Sequence, residues 1–125
     1  MPATPADRLR ILVTGGAGYI GGHTVVELLD AGHDVHVVDS LVSAATPTLE
    51  RMRAISRRDF GFTRADIRDA AAMQAAVAGF APDAVIHFAG LKSVMDSVAD
   101  PVGYYEANVG GTLALLRALR GAPCR

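Results

Sequence analysis

Thr14-Gly15-Gly16-Ala17-Gly18-Tyr19-Ile20-Gly21 is the stretch on which the rest of the chain depends. It follows the apolar run Ile11-Leu12-Val13 and opens a segment of helical periodicity, so it reads as a strand, a glycine turn and a helix. Two glycine spacings overlap in it, Gly16-x-Gly18-x-x-Gly21 and Gly15-x-x-Gly18-x-x-Gly21. In either, one glycine permits the turn, one lets backbone approach a ligand, and the last lets helix pack closely on strand. The helix start then offers free N–H groups and a positive dipole end to an anion. Such a turn can exist without a ligand, but a second apolar run ends at Asp39, at the distance expected of an acid that binds a ribose. Together these features point to a dinucleotide with its pyrophosphate on the glycine turn.

The 125 residues suffice for one domain with a real core, and at 50% hydrophobic and 20% charged the composition is globular. A net charge of −1 carries no electrostatic footprint for nucleic acid, and no basic run suggests a membrane surface. Cys124 is the single cysteine, which excludes an internal disulfide and a multi-cysteine metal site. The N-terminal residues lack the apolar core of a signal peptide, and no apolar run has the length of a membrane span. The expectation is a soluble, cytoplasmic α/β domain with a leader over residues 1–8, a nucleotide-binding segment over 9–121 and a tail over 122–125.

Outward from the glycine turn, strands are expected at Arg10 to Thr14, Asp34 to Asp39, Asp59 to Ala65 and Asp83 to Phe88. The first helix carries Ile20, Val25, Leu28 and Leu29 on one side and stops at Gly32. The second starts at Pro47 and runs to Ser56, with its arginines as a solvated face. Asp66-Ile67-Arg68-Asp69 caps a third from Ala70 to Ala78, ended by Gly79. A loop of about a dozen residues then leads to Asp100-Pro101, an N-cap and N1 proline, and a last helix to Arg120. That helix carries Val102, Tyr105, Val109, Leu113, Leu116 and Leu119 at helical spacing. Gly110-Gly111 in its middle costs roughly 1 kcal/mol per glycine relative to alanine, which calls for a close approach there. The alternation predicts a Rossmann-type doubly wound parallel sheet, four strands in order 3-2-1-4, with a cofactor between strands 1 and 4 where the order reverses.

The Asp39 carboxylate would accept from the ribose hydroxyls and repel a 2′-phosphate, favouring NAD over NADP; Ser40 adjoins it. Asp66-Ile67 reads equally as an adenine pocket or as an N-cap aspartate and a core isoleucine. Ala89-Gly90 after strand 4 is small enough for backbone to approach a cofactor. Lys92 is the only lysine; by pattern alone a loop lysine is a solvated one. His87 reads as a core histidine rather than a base, and His23, His33, His36 and Cys124 show no metal-ligand spacing. For Asn108, pattern alone does not decide whether the amide faces a ligand. A dehydrogenase that moves its proton through a tyrosine needs a lysine one helical turn later. Four residues after Tyr19, Tyr104 and Tyr105 stand His23, Asn108 and Val109, so no such pair is present.

Several stretches carry a closer likeness. Thr14 to Thr24, Gly32-His33-Asp34-Val35, Asp66-Ile67-Arg68 and above all Val85-Ile86-His87-Phe88-Ala89-Gly90-Leu91-Lys92-Ser93-Val94 resemble the UDP-glucose 4-epimerases of the extended short-chain dehydrogenase superfamily. The likeness continues through Asp96-Ser97-Val98, Pro101, Tyr104-Tyr105 and Asn108-Val109-x-Gly111-Thr112-Leu113. The resemblance implies tightly bound NAD that takes a hydride from C4 of a UDP-sugar and returns it to the other face. It implies Gly15, Gly18, Tyr19, Ile20 and Gly21 at the pyrophosphate, Asp39 and Ser40 at the adenosine ribose, and Asp66 and Ile67 at the adenine. Phe88, Ala89, Gly90, Lys92 and Asn108 would line the nicotinamide side. Members of that family go on to a catalytic Ser/Thr, a Tyr-x-x-x-Lys helix and a sugar-nucleotide domain, none of which these residues contain. The expectation is therefore the cofactor-binding first third of such an enzyme, from a truncated reading frame, not catalytic alone and meeting a UDP-sugar only when the rest is supplied. A homodimer through the last helix is implied as well. The alternatives are a stand-alone NAD-sensing module and an incompletely folded remnant.

Overall fold

The structure is a computed structural model and describes residues 7–124; most of the leader expected at 1–8 lies outside the described residues, as does Arg125. Four parallel strands, β1 (Arg10–Thr14), β2 (Asp34–Asp39), β3 (Gly61–Arg64) and β4 (Ala84–His87), form one sheet in the order β3-β2-β1-β4. Between them run α1 (Tyr19–Asp30), α2 (Thr46–Ser56) and α3 (Ala70–Phe80). After β4 come α4 (Val94–Ala99), α5 (Pro101–Tyr105), a π turn (Glu106–Gly110) and α6 (Gly111–Ala118).

The apolar run of β1 is buried on both faces because successive side chains alternate across the sheet. Ile11 and Val13 join Val35, Val37, Val25, Leu29, Leu49 and Met52 in the core under α1 and α2. Leu12 points the other way, with Val38, Ile67, Met73, Val77 and Leu115, toward α3 and α6. Register is in phase across the sheet, Val13 opposite Val37 and Ile86, so all four C-terminal strand ends open on one edge. Arg8, within the expected leader, is tied to β2 by a two-pronged ion pair with Asp34, and its guanidinium holds that carboxyl below the usual carboxylate range.

Several expectations need correction. Ile20 is 56% exposed at the start of α1 rather than part of its buried side. β3 is shorter than expected, and Phe60 is buried just before it. Arg53 is not simply a solvated side chain: it donates to Asp59 at 2.6 Å and its guanidinium lies 4.4 Å from the Phe60 ring centre. Gly79 lies inside α3, which ends where Ala81 turns left-handed at φ 51° and donates to Val77. The expected loop after β4 contains α4, capped by the Ser93 hydroxyl accepting from Asp96.

The last helix differs most. The π turn interrupts it, and its large apolar stripe (Val102, Tyr105, Val109, Leu113, Leu116) faces outward. The side turned to the sheet is made of Ala107, Gly111, Ala114 and Leu115. Small residues there let the backbone come close. A Cβ on Gly111 would lie 2.3 Å from Ile67 Cγ2, whereas one on Gly110 meets nothing within 4 Å. The two glycines should therefore respond oppositely to alanine. Gly111→Ala should destabilise by roughly 1–3 kcal/mol through overpacking, while Gly110→Ala should stabilise by up to about 1 kcal/mol. Urea unfolding of the two variants checks this; equal shifts would contradict the packing described.

Candidate functional site

The strand order reverses between β1 and β4, and a cleft of about 660 Å³ opens there along the C-terminal strand ends. That volume is in the range of small-molecule sites. One wall is the glycine turn. Gly15 takes φ +68°, a conformation that side chains disfavour, and donates its N–H to Val38 at 2.8 Å while accepting from Gly18 at 3.1 Å. A Cβ on Gly21 would stand 2.1 Å from the Gly15 carbonyl oxygen, so only glycine lets α1 pack down on the turn. The geometry also separates the overlapping spacings: Gly15 and Gly18 line the cleft, whereas Gly16 packs against the Val37 methyls. α1 begins at Tyr19, after Gly18, without a side-chain cap and without an acid in its first turn, which leaves its N–H end suited to an anion.

Asp39 ends β2 in the opposite wall. Its Oδ2 accepts from the Ala17 N–H at 3.0 Å and its Oδ1 from the Leu41 N–H at 2.8 Å, so one carboxylate braces both the glycine turn and the loop after β2. Each oxygen keeps a further lone pair for a ligand hydroxyl. Ser40 lies beside it in the cleft. At the end of β3, Asp66 is gripped by Arg68, Nη2 to Oδ2 at 2.7 Å and Nε to Oδ1 at 3.0 Å. That guanidinium and the Arg68 N–H hold the Asp66 carboxyl below the usual carboxylate range. Asp66 is not the cap of α3; Asp69 is, accepting from Ala72 at 3.0 Å. Ile67 is buried beneath the cleft and packs under Gly111.

The segment after β4 closes the cleft with Phe88, Ala89, Gly90 and Lys92. Gly15 and this segment are in close backbone contact, a Cβ on Gly15 falling 2.6 Å from Ala89 N. Eleven of the fourteen expected binding residues line this one cleft: all but Ile20, Gly21 and Asn108. Gly21 sits under the turn, Ile20 lies outside the cleft, and the Asn108 amide is engaged with the backbone of Leu91. The residue reading missed Thr14, Arg68 and the Val42–Ala44 loop, which also line the cleft. Arg68 could have been found from its place two residues after a strand-end aspartate; the loop carries no comparable signal.

His87 adjoins the cleft through Thr14, whereas His36 lies apart. His36 is on β2 below the cleft, its Nε2 2.8 Å from Thr63 Oγ1, and burial pushes it below the ordinary histidine value. Among the described residues no group of three or more His, Cys, Asp or Glu could hold a metal, and no helix is long and apolar enough to cross a membrane.

Comparison with known proteins follows the same lines. A family model described as the NAD dependent epimerase/dehydratase family matches residues 11–125. The UDP-glucose 4-epimerase of Haemophilus influenzae is 48% identical over 114 residues, which are 91% of this chain and 34% of that protein. That of Klebsiella pneumoniae is 46% identical over 114 residues, 91% of this chain and 82% of the relative. Among solved structures, the UDP-glucose 4-epimerase of Stenotrophomonas maltophila, with bound NAD and formylated UDP-arabinopyranose, superposes with a TM-score of 0.90 at 45% identity, covering 94% of this chain and 35% of that one. The Bifidobacterium longum enzyme, in complex with NAD+ and UDP, gives 0.86 at 44% identity, covering 89% and 33%. Except for the Klebsiella relative, the chain spans about a third of the length of these proteins.

Proposed function

The chain belongs to the NAD dependent epimerase/dehydratase family, and from that membership we propose that it is the NAD-holding part of a UDP-glucose 4-epimerase. The observation that carries this reading is the cleft at the strand-order reversal, which joins the glycine turn, Asp39 and the Phe88–Lys92 wall. Its shape fits the group: Gly15 and Gly21 stand where a Cβ would strike backbone, and the uncapped start of α1 faces the same turn.

In this reading Gly15, Gly18 and the N–H groups at Tyr19, Ile20 and Gly21 hold the pyrophosphate. Asp39 and Ser40 take the adenosine ribose, and the Asp39 charge disfavours a 2′-phosphate. Ile67 supplies an apolar floor for the adenine, with Asp66 at its polar edge. Phe88, Ala89, Gly90 and Lys92 face the nicotinamide end, and Asn108 acts on it through Leu91. When bound, NAD supplies the hydride acceptor for a sugar carbon; this chain's part is to bind and orient it. The proton-moving residues and the UDP-sugar pocket are assigned to positions outside these 125, since none of Tyr19, Tyr104 and Tyr105 has a lysine one turn on. Pairing of two copies through the last helix is a second reading, supported by the outward stripe of Val102, Tyr105, Val109, Leu113 and Leu116.

The test is a titration of the purified 125-residue chain with NADH, followed by nicotinamide fluorescence, with NADPH alongside. Saturable binding that favours NADH is expected, with no epimerisation of added UDP-glucose. A monodisperse sample that binds neither nucleotide would overturn the reading and leave a remnant; turnover of UDP-glucose would overturn the division of labour.

A further inference from the structure

One chain of hydrogen bonds joins the end of β1 to Asn108 through Thr14, His87 and Thr112, three side chains that have no part in the roles assigned above. Thr14, fully buried at the end of β1, places Oγ1 2.6 Å from His87 Nδ1 and receives the Ala89 N–H at 3.3 Å. His87 Nε2 lies 3.0 Å from Thr112 Oγ1, and Thr112 donates to the Asn108 carbonyl at 2.6 Å. Asn108, in the π turn, clamps both backbone groups of Leu91: Oδ1 accepts its N–H at 2.8 Å and Nδ2 donates to its carbonyl at 3.0 Å.

Proton counting sets the direction of the chain. A threonine hydroxyl has one proton, and that of Thr112 goes to the Asn108 carbonyl, so toward His87 it can only accept. The His87 proton is therefore on Nε2, and Nδ1 accepts the Thr14 hydroxyl proton. Every donor has one acceptor, from the Ala89 N–H through Thr14, His87 and Thr112 to the π turn. His87 is not the core histidine expected, since the residue is exposed at the end of β4; the partial burial its ring does have holds it below its ordinary value, in keeping with this neutral form. The π turn belongs to the same device. It sets Asn108 where its amide meets Leu91, two residues from Ala89, so the relay grips the segment on both sides of Gly90.

We propose that His87 is a positioning residue of the cleft: in its Nε2–H form it ties the end of β1 to the π turn, so that Asn108 holds the Phe88–Lys92 wall in place. The proposal rests on the reading that this wall meets NAD. It differs from a core histidine, which would stabilise the chain as a whole, because its effect is local to Leu91 and depends on Thr112.

Amide exchange on the cofactor-free 125-residue chain, with NADH titration in parallel, tests it. His87→Phe keeps a ring but removes both hydrogen bonds. It should speed exchange at Leu91 about tenfold and weaken NADH about tenfold, leaving Leu12 and Val13 in β1 unchanged. Thr112→Val should do the same, the double variant should be no worse than either single one, and Thr112→Ser should restore both readouts. Nitrogen-detected NMR should find the His87 proton on Nε2. Unchanged exchange at Leu91 in His87→Phe, equal acceleration through β1, or additive losses in the double variant would overturn the proposal. If His87→Phe fails to fold, the Thr112→Val and Thr112→Ser pair decides alone. A wild-type chain that binds no NADH overturns the cofactor reading, while the exchange measurement still decides the relay.

Discussion

Alanine at Gly15 is expected to abolish NADH binding and to lower stability by roughly 3 kcal/mol or more. Two effects add. The residue holds φ +68°, which a side chain tolerates poorly. The new Cβ would also fall 2.6 Å from Ala89 N and 2.8 Å from Phe88 C, both backbone atoms. No rotamer change relieves contact with backbone, so β4 must move away from β1 or the turn must open. Either movement displaces a wall of the cleft. Denaturant unfolding and nicotinamide fluorescence measure the two consequences separately. An alanine variant with wild-type affinity would mean that the turn does not hold the cofactor. Gly110→Ala, which meets nothing within 4 Å, is the natural control for a glycine replaced without a clash.

Loss of the Asp39 charge should produce the second large effect. Asp39→Asn is expected to weaken NADH by tenfold to a hundredfold, about the worth of hydrogen bonds to a charged group. NADPH should weaken less, because the charge that repels its 2′-phosphate disappears, so the ratio of the two affinities should fall. The structure adds a reason that the ribose alone would not supply. Both Asp39 oxygens accept backbone N–H groups, from Ala17 and from Leu41. An asparagine can present an oxygen to only one of them and must face the other with its own N–H₂, donor against donor. The glycine turn or the loop after β2 is therefore loosened together with the ribose contact. Paired titrations with NADH and NADPH read the ratio directly. A ratio that does not move would remove Asp39 from the ribose, whatever happened to overall affinity.

Much of the architecture was present in local sequence pattern. A continuous apolar run such as Ile11-Leu12-Val13 identifies a strand covered on both faces, and a glycine turn before a helical period identifies a strand-to-helix unit. Four such units in alternation leave few arrangements, and the order β3-β2-β1-β4 is the expected one. The acid at Asp39 and the small residues after β4 were legible for the same reason, since each lies at a strand end whose position the pattern determines. A strand end is where backbone leaves the sheet and ligands gather.

What the pattern could not decide depends on contacts between residues far apart in the chain. The choice between the two glycine spacings follows from Gly15 meeting Ala89 and Gly16 meeting Val37. The last helix has an unbroken apolar period, yet packing turns its small side inward and bends its hydrogen bonding into a π turn at Asn108. The Asn108 clamp on Leu91 spans 17 residues, the His87 bond to Thr112 spans 25, and the Thr14 bond to His87 spans 73. Sequence by itself determined the strands, the turn and the edge of the sheet where a nucleotide fits, because those follow from periodicity and backbone conformation. Tertiary structure alone decided which polar side chains hold that edge in shape, because a hydrogen bond forms only when folding brings its two ends within about 3 Å.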